Sequence, residues 1–160
     1  MSTQSIIAVL QQLIEIHQDM IKLSEEKTEI IKEGSVEKLQ KQLVREQKLI
    51  RLLEQAENNR QQEVISWYRQ ADRPLEEITI TNILNVLEDE EERNALEEAA
   101  VQLANAVMKL KQQEQLNHSL LQQSMQFVQF SLNMINPTIE NFNYGNQQTG
   151  NNRSVFDSKA

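Results

Sequence analysis

The sequence predicts an all-α fold, an elongated antiparallel helical hairpin or three-helix bundle with coiled-coil character and a disordered C-terminal tail. Three glycines and two prolines in 160 residues are too few turn-makers for a many-stranded sheet. Leu, Ile, Gln, Glu and Lys dominate, as they do in long helices. Aromatic residues make up 4% of a chain that is 39% hydrophobic, which leaves little bulk for a thick core and favours a thin one.

Apolar residues Ile6, Leu10, Leu13, Ile14, Met20, Ile21, Leu23, Ile30 and Ile31 recur at three- and four-residue steps, predicting a one-sided helix over about 4–32. Gly34 stops it and Ser35 caps the next, about 35–70, with Glu37 in its first turn and Val36, Leu39, Leu43, Ile50 and Leu53 on one stripe. Ala71, Asp72, Arg73 and Pro74 form a breaker where the chain reverses. Residues 76–87 are expected to form a short helix, although Thr79, Ile80 and Thr81 are β-branched enough for a strand to be conceivable. The acidic run from Glu88 to Glu92 complements the dipole of a long helix over about 89–135, since no glycine and no proline interrupts it before Pro137. Leu96, Leu103 and Leu110 lie seven apart, as do Ala100 and Val107 and then Leu121, Val128 and Ile135, so a seam runs most of its length. Ala99, Ala100, Ala104 and Ala106 allow close approach of another helix. The first two helices are the nearest intramolecular partners; pairing between two copies would use the same stripe, so a homodimer stays an open alternative. These helices make one domain, 1–136, and the polar residues 137–160, rich in Asn, Gln, Gly, Ser and Thr, read as a flexible tail.

A net charge of −8 disfavours nucleic acid and anionic lipid as partners. No run approaches the length of a bilayer span, so neither membrane insertion nor any address other than the cytoplasm is expected. No cysteine and two separated histidines leave no ligand set for a metal, and no cofactor is implied. Phosphate-cradling glycine loops and a serine elbow are missing, so the chain is not read as an enzyme. Paired carboxylates such as Glu25 with Glu29 read as solvated faces, and His17 and His118 as packing or capping residues.

The most unusual stretch is 115–139, which contains no Lys, Arg, Asp or Glu although a quarter of the chain is charged. Its apolar residues, Phe130 and Met134 among them, cover more than one helical face, while glutamines supply hydrogen bonds without desolvating an ion. Two readings fit: faces buried by the protein's own helices or a dimer, or a face that receives another chain. The second makes Leu116, Leu120, Leu121, Met125, Phe127, Val128, Leu132 and Ile135 the candidate binding residues.

Three blocks carry a family resemblance. The first is Lys27, Ile31, Gly34, Glu37, Leu39, Leu43, Glu46, Gln47, Leu49, Ile50 and Arg60; the second is Leu116-Asn117-His118-Ser119-Leu120-Leu121 followed by Ser124-Met125-Gln126-Phe127-Val128; the third is Asn143-Tyr144-Gly145 with Thr149-Gly150. In this order they resemble the FlgN-type flagellar export chaperones, with Ser35 standing where an acid is frequent and 61–98 matching only in helical character. The resemblance implies a cytosolic chaperone that binds C-terminal segments of hook-filament junction proteins, prevents their self-assembly and delivers them to the membrane export gate of the flagellar type III apparatus. It further suggests Tyr144 as the contact to that gate protein. The competing expectation is a structural coiled-coil scaffold or adaptor that self-associates through the uncharged helix.

Overall fold

A computed structural model describes residues 2–75 and 78–135, which form four helices and, among these residues, no strand. They are α1 (Gln4–Glu33), α2 (Val36–Gln70), α3 (Ile80–Val86) and α4 (Glu90–Ile135). The fold is all-α, as expected. The chain divides into two units, one ending at Leu121 and the other beginning at Gln122. The expected tail, 137–160, lies outside the described residues.

In the first unit α1 is the central helix. Gly34 ends it with φ 74°, and its amide donates to the carbonyls of Ile30 and Ile31 at 3.1 Å each. A Cβ at Gly34 would meet no atom within 4 Å, so glycine is required there for its left-handed backbone and not for space. Ser35 then accepts the Lys38 amide at 3.3 Å and starts α2, which returns antiparallel along α1. α2 ends at a reversal in which Asp72 takes φ 51° and Arg73 donates back to the Tyr68 carbonyl at 3.1 Å. Tyr68 also donates its hydroxyl to the Thr79 carbonyl at 3.2 Å, tying the following loop to α2.

The segment before α4 is a helix, which settles the helix-or-strand alternative, but it is shorter than the expected 76–87. The reason is local: Thr79 is extended and its side chain caps the Asn82 amide at 3.1 Å, so the helix cannot begin before Ile80. Ile83, fully buried, plugs it into the core.

α4 starts beside α1 and runs parallel to it. Thr3 donates its backbone amide and, at 2.7 Å, its hydroxyl to the Glu92 carboxylate, while Thr28 donates to Asn117 Oδ1 at 2.5 Å. Both pairs are 89 residues apart, a constant register along the two helices. The α4 seam is Leu96, Ala99, Leu103, Ala106, Leu110, Gln113, Asn117 and Leu120, spaced alternately three and four, all buried or half-buried. The expected seam pair Ala100 and Val107 lies one position over, and Val107 is exposed.

α2 shows the same displacement. Its seam is Leu39, Gln42, Glu46, Leu49, Leu53 and Ala56, whereas Val36, Leu43 and Ile50 of the expected stripe are exposed. Gln42 and Glu46 hold seam positions because α1 offers them partners. Gln42 donates to the Leu23 carbonyl at 2.6 Å, and Glu46 pairs with Lys27 at 3.1 Å.

The core therefore has two characters. Towards the α1 N-terminus, Ile6, Leu10, Leu13, Ala56, Val64, Trp67, Tyr68, Ile83, Leu96 and Ala99 form one apolar cluster, with Trp67 and Tyr68 edge to face at 5.4 Å. His17, also buried, donates from Nδ1 to the Leu13 carbonyl at 2.7 Å. On α2 the Arg60 guanidinium donates to both Glu57 oxygens at 2.8 and 2.5 Å, which holds that carboxyl below its usual range. Towards the hairpin, buried polar groups, Ser24, Lys27, Thr28, Gln42 and Asn117, join the buried Leu23 and Ile31. Asn117 donates to the Ser24 carbonyl at 2.8 Å and its hydroxyl at 3.0 Å, Gln113 donates to Thr28 at 2.6 Å, and Ser24 donates to Glu114 at 2.8 Å. Lys27 sits between Glu46 and, at 3.8 Å, Glu114.

Replacing Asn117 by Ala removes its buried hydrogen bonds to Ser24 and Thr28, which keep Glu114, Gln113 and the α1 backbone as partners. The expected cost is roughly 1–3 kcal/mol, measured as a lower urea midpoint at unchanged slope; an unaltered midpoint would show that the polar layer does not hold α4 to α1.

Candidate functional site

The seam spacing of α4 continues past Leu120 through Ser124, Phe127, Ser131 and Met134 without a skip. α1 does not continue with it. At an offset of 89, Glu33 at the end of α1 corresponds to Gln122, so α1 has no residue to set against the later seam positions.

In the first unit, the candidate residues Leu120 and Leu121 are half-buried and Leu116 is exposed. Asn117, between them in the second resemblance block, is taken up by Ser24 and Thr28 and serves the bundle. His118, expected to pack or cap, is exposed, which leaves it no packing role.

The second unit, described by itself, holds α4 from Gln122 to Ile135, where every residue except the half-buried Ser131 is exposed. Met125, Val128 and Leu132 are 51–56% exposed, and Phe127, Phe130, Met134 and Ile135 are 61–73% exposed. Phe130 and Met134 are not among the candidate binding residues expected from the sequence, although their spacing of three and seven from Phe127 places all three on one face. The helix thus carries two apolar stripes, Met125-Val128-Leu132-Ile135 and Phe127-Phe130-Met134, centred roughly 150° apart at 3.6 residues per turn. Between them stand amides and hydroxyls; Ser131 donates to the Phe127 carbonyl at 2.9 Å and Gln129 to Asn133 at 3.4 Å. This surface offers apolar and hydrogen-bonding groups and no ionisable side chain.

Elsewhere, a concavity of about 490 Å³ between α1 and α4 has Ile14, Ile21 and Ala106 in its wall and Lys22, Glu25 and Lys109 around them. Among the described residues no group of three or more His, Asp or Glu could hold a metal ion, and no helix is long and apolar enough to cross a membrane. Tyr144 lies outside the described residues.

Comparison with known proteins places the chain in a family. It is 29% identical over 165 residues to the uncharacterized protein YvyG of Bacillus subtilis strain 168, a match that spans the whole of both chains. No solved structure matches. The model of the FlgN protein family matches residues 1–152, all but the last few of the chain. The protein is a member of the FlgN family, the flagellar export chaperones.

Proposed function

We propose that the protein binds the C-terminal segments of hook-filament junction proteins in the cytoplasm, keeps them from assembling prematurely and hands them to the membrane export gate. One observation carries the binding step: the end of α4 is apolar, free of charge and exposed from Gln122 to Ile135. A folded chain rarely leaves so many large side chains in water unless a partner covers them. An amphipathic helix laid on Met125, Val128, Leu132 and Ile135 contacts one continuous stripe, which Leu121 extends towards the bundle, while Leu116, Leu120 and Phe127 stand on the opposite side of the helix.

The energetics suit a carrier that must also release. Burying about five large side chains contributes roughly 1.5–3 kcal/mol each before ordering costs. A cargo that is disordered when free spends part of this on folding, which leaves micromolar or somewhat tighter binding. The methionines, Met125 and Met134, adapt to more than one cargo shape at little cost. No ion is desolvated by docking on this surface, so binding and release are not opposed by a large electrostatic barrier.

Isothermal titration with the C-terminal segment of a junction protein checks this. The intact chain should bind saturably, a chain ending at Leu121 should lose binding while circular dichroism still shows its helices, and Val128→Glu should weaken binding at least about tenfold, since it places a charge in an apolar contact. Undiminished binding by the shortened chain would move the cargo site elsewhere.

Tyr144 supplies a separate handle for the export gate, an aromatic ring within a polar segment that can enter a pocket by itself. Tyr144→Ala should leave the titration with cargo unchanged and weaken binding to the cytoplasmic domain of the gate protein. Equal gate binding by the variant would remove Tyr144 from the function.

A further inference from the structure

Charge runs out twice along α4, over 99–108 and over the longer run 115–135. Residues 90–114 contain nine charged side chains, Glu90, Glu91, Glu92, Arg93, Glu97, Glu98, Lys109, Lys111 and Glu114, and residues 115–135 contain none. A surface that receives one helix needs charge depletion only at its centre, because the rim and the far side of the receiving helix stay in water and tolerate Lys and Glu. Here the depletion covers the full circumference over several turns. Both apolar stripes, roughly 150° apart, are exposed, and a single docked helix reaches only one of them.

What belongs on the Phe127 stripe can be read from the seam. Phe127 and Met134 continue the three-four spacing by which Leu96, Leu103 and Leu110 pack on α1, so the position they present is one already shaped for a helix. A two-fold dimer through either stripe would pair like with like and leave the other stripe in water on both copies, so a second copy does not account for both.

On the chaperone reading above, we infer that the cargo clasps the end of α4 between two apolar helical segments of one polypeptide, one on the Met125-Val128-Leu132-Ile135 stripe and one on the Phe127-Phe130-Met134 stripe. Gln122, Gln126 and Gln129 then meet the cargo's polar groups along one edge of the clasp, and Ser124 and Ser131 along the other, where a charged residue would be stranded out of water. The chaperone selects a cargo with two apolar helical stretches over one that offers a single amphipathic helix.

The test uses the full chain and two variants whose altered side chains are exposed and therefore spare the fold: Val128→Gln with Leu132→Gln, and Phe127→Gln with Met134→Gln. Each is titrated with an intact hook-filament junction protein and with a peptide covering only its last helical segment, and sedimentation is run in parallel. Each variant should bind the intact protein at least about tenfold more weakly than the parent, as loss of buried anchor side chains does. The parent should bind the intact protein much more tightly than the peptide. Parental affinity in the Phe127 and Met134 variant, beside a loss in the other, would overturn the clasp while leaving the chaperone reading in place. So would a parent dimer that the Phe127 and Met134 changes convert to a monomer with cargo affinity unchanged. Failure of the parent to bind the junction protein at all would overturn the chaperone reading and the clasp together.

Discussion

The register between α1 and α4 is the constraint on which the other features depend, and a buried amide sets it. Asn117 donates through its nitrogen to Ser24 and accepts through its oxygen from Thr28, and a slide of one turn would break these bonds and leave the Asn117 amide buried without them. An apolar seam alone would not discriminate so well, since leucines three and four apart present much the same surface one heptad along; a polar residue at a seam position is what distinguishes registers in coiled coils. With the offset held at 89, the Thr3 and Glu92 contact closes the other end of the pair, and α1 ends opposite Gln122, within the uncharged part of α4.

The two characters of the core divide the work. The apolar cluster around Trp67, Tyr68 and Ile83 supplies non-directional burial and the bulk of the stability, while the polar layer near the hairpin supplies little net stability and much specificity. Lys27 between Glu46 and Glu114 shows how: three ionisable groups from three helices meet with opposite charges facing one another, an arrangement that only one setting of the helices allows. It fixes α1, α2 and α4 against one another without the large aromatic core that a chain with 4% aromatic residues cannot build.

Much of this is legible in the sequence. Gly34 and Ser35 mark the hairpin, the alternation of apolar residues marks α1, and the absence of breakers after Asp89 marks α4. What hydrophobicity misplaces is the seam of α2. Val36, Leu43 and Ile50 look like its buried stripe, yet the seam passes through Gln42 and Glu46, because a partner on α1 for a polar side chain cannot be read from α2 alone. The start of α3 falls later than the pattern suggests for a local reason, the Thr79 cap, which a β-branched run conceals. In the candidate site the loss of charge is plain from the sequence. Phe130 and Met134 are counted there among apolar residues that cover more than one face but not among the candidate binding residues; their exposure of 61% and 66%, close to the 70% of Phe127, sets them beside it.

The family places the protein among flagellar export chaperones, and the function proposed above rests on the exposed end of α4 as the element that binds cargo. The most direct measurement of that claim is hydrogen exchange along α4, with and without a junction protein. The account predicts that in the free chain the amides of the seam up to Leu120 exchange slowly, that those of 123–135 exchange quickly, and that cargo slows the second set and leaves the first unchanged. Slow exchange of 123–135 in the free chain, unaltered by cargo, would show that this end of the helix is already covered and would contradict it.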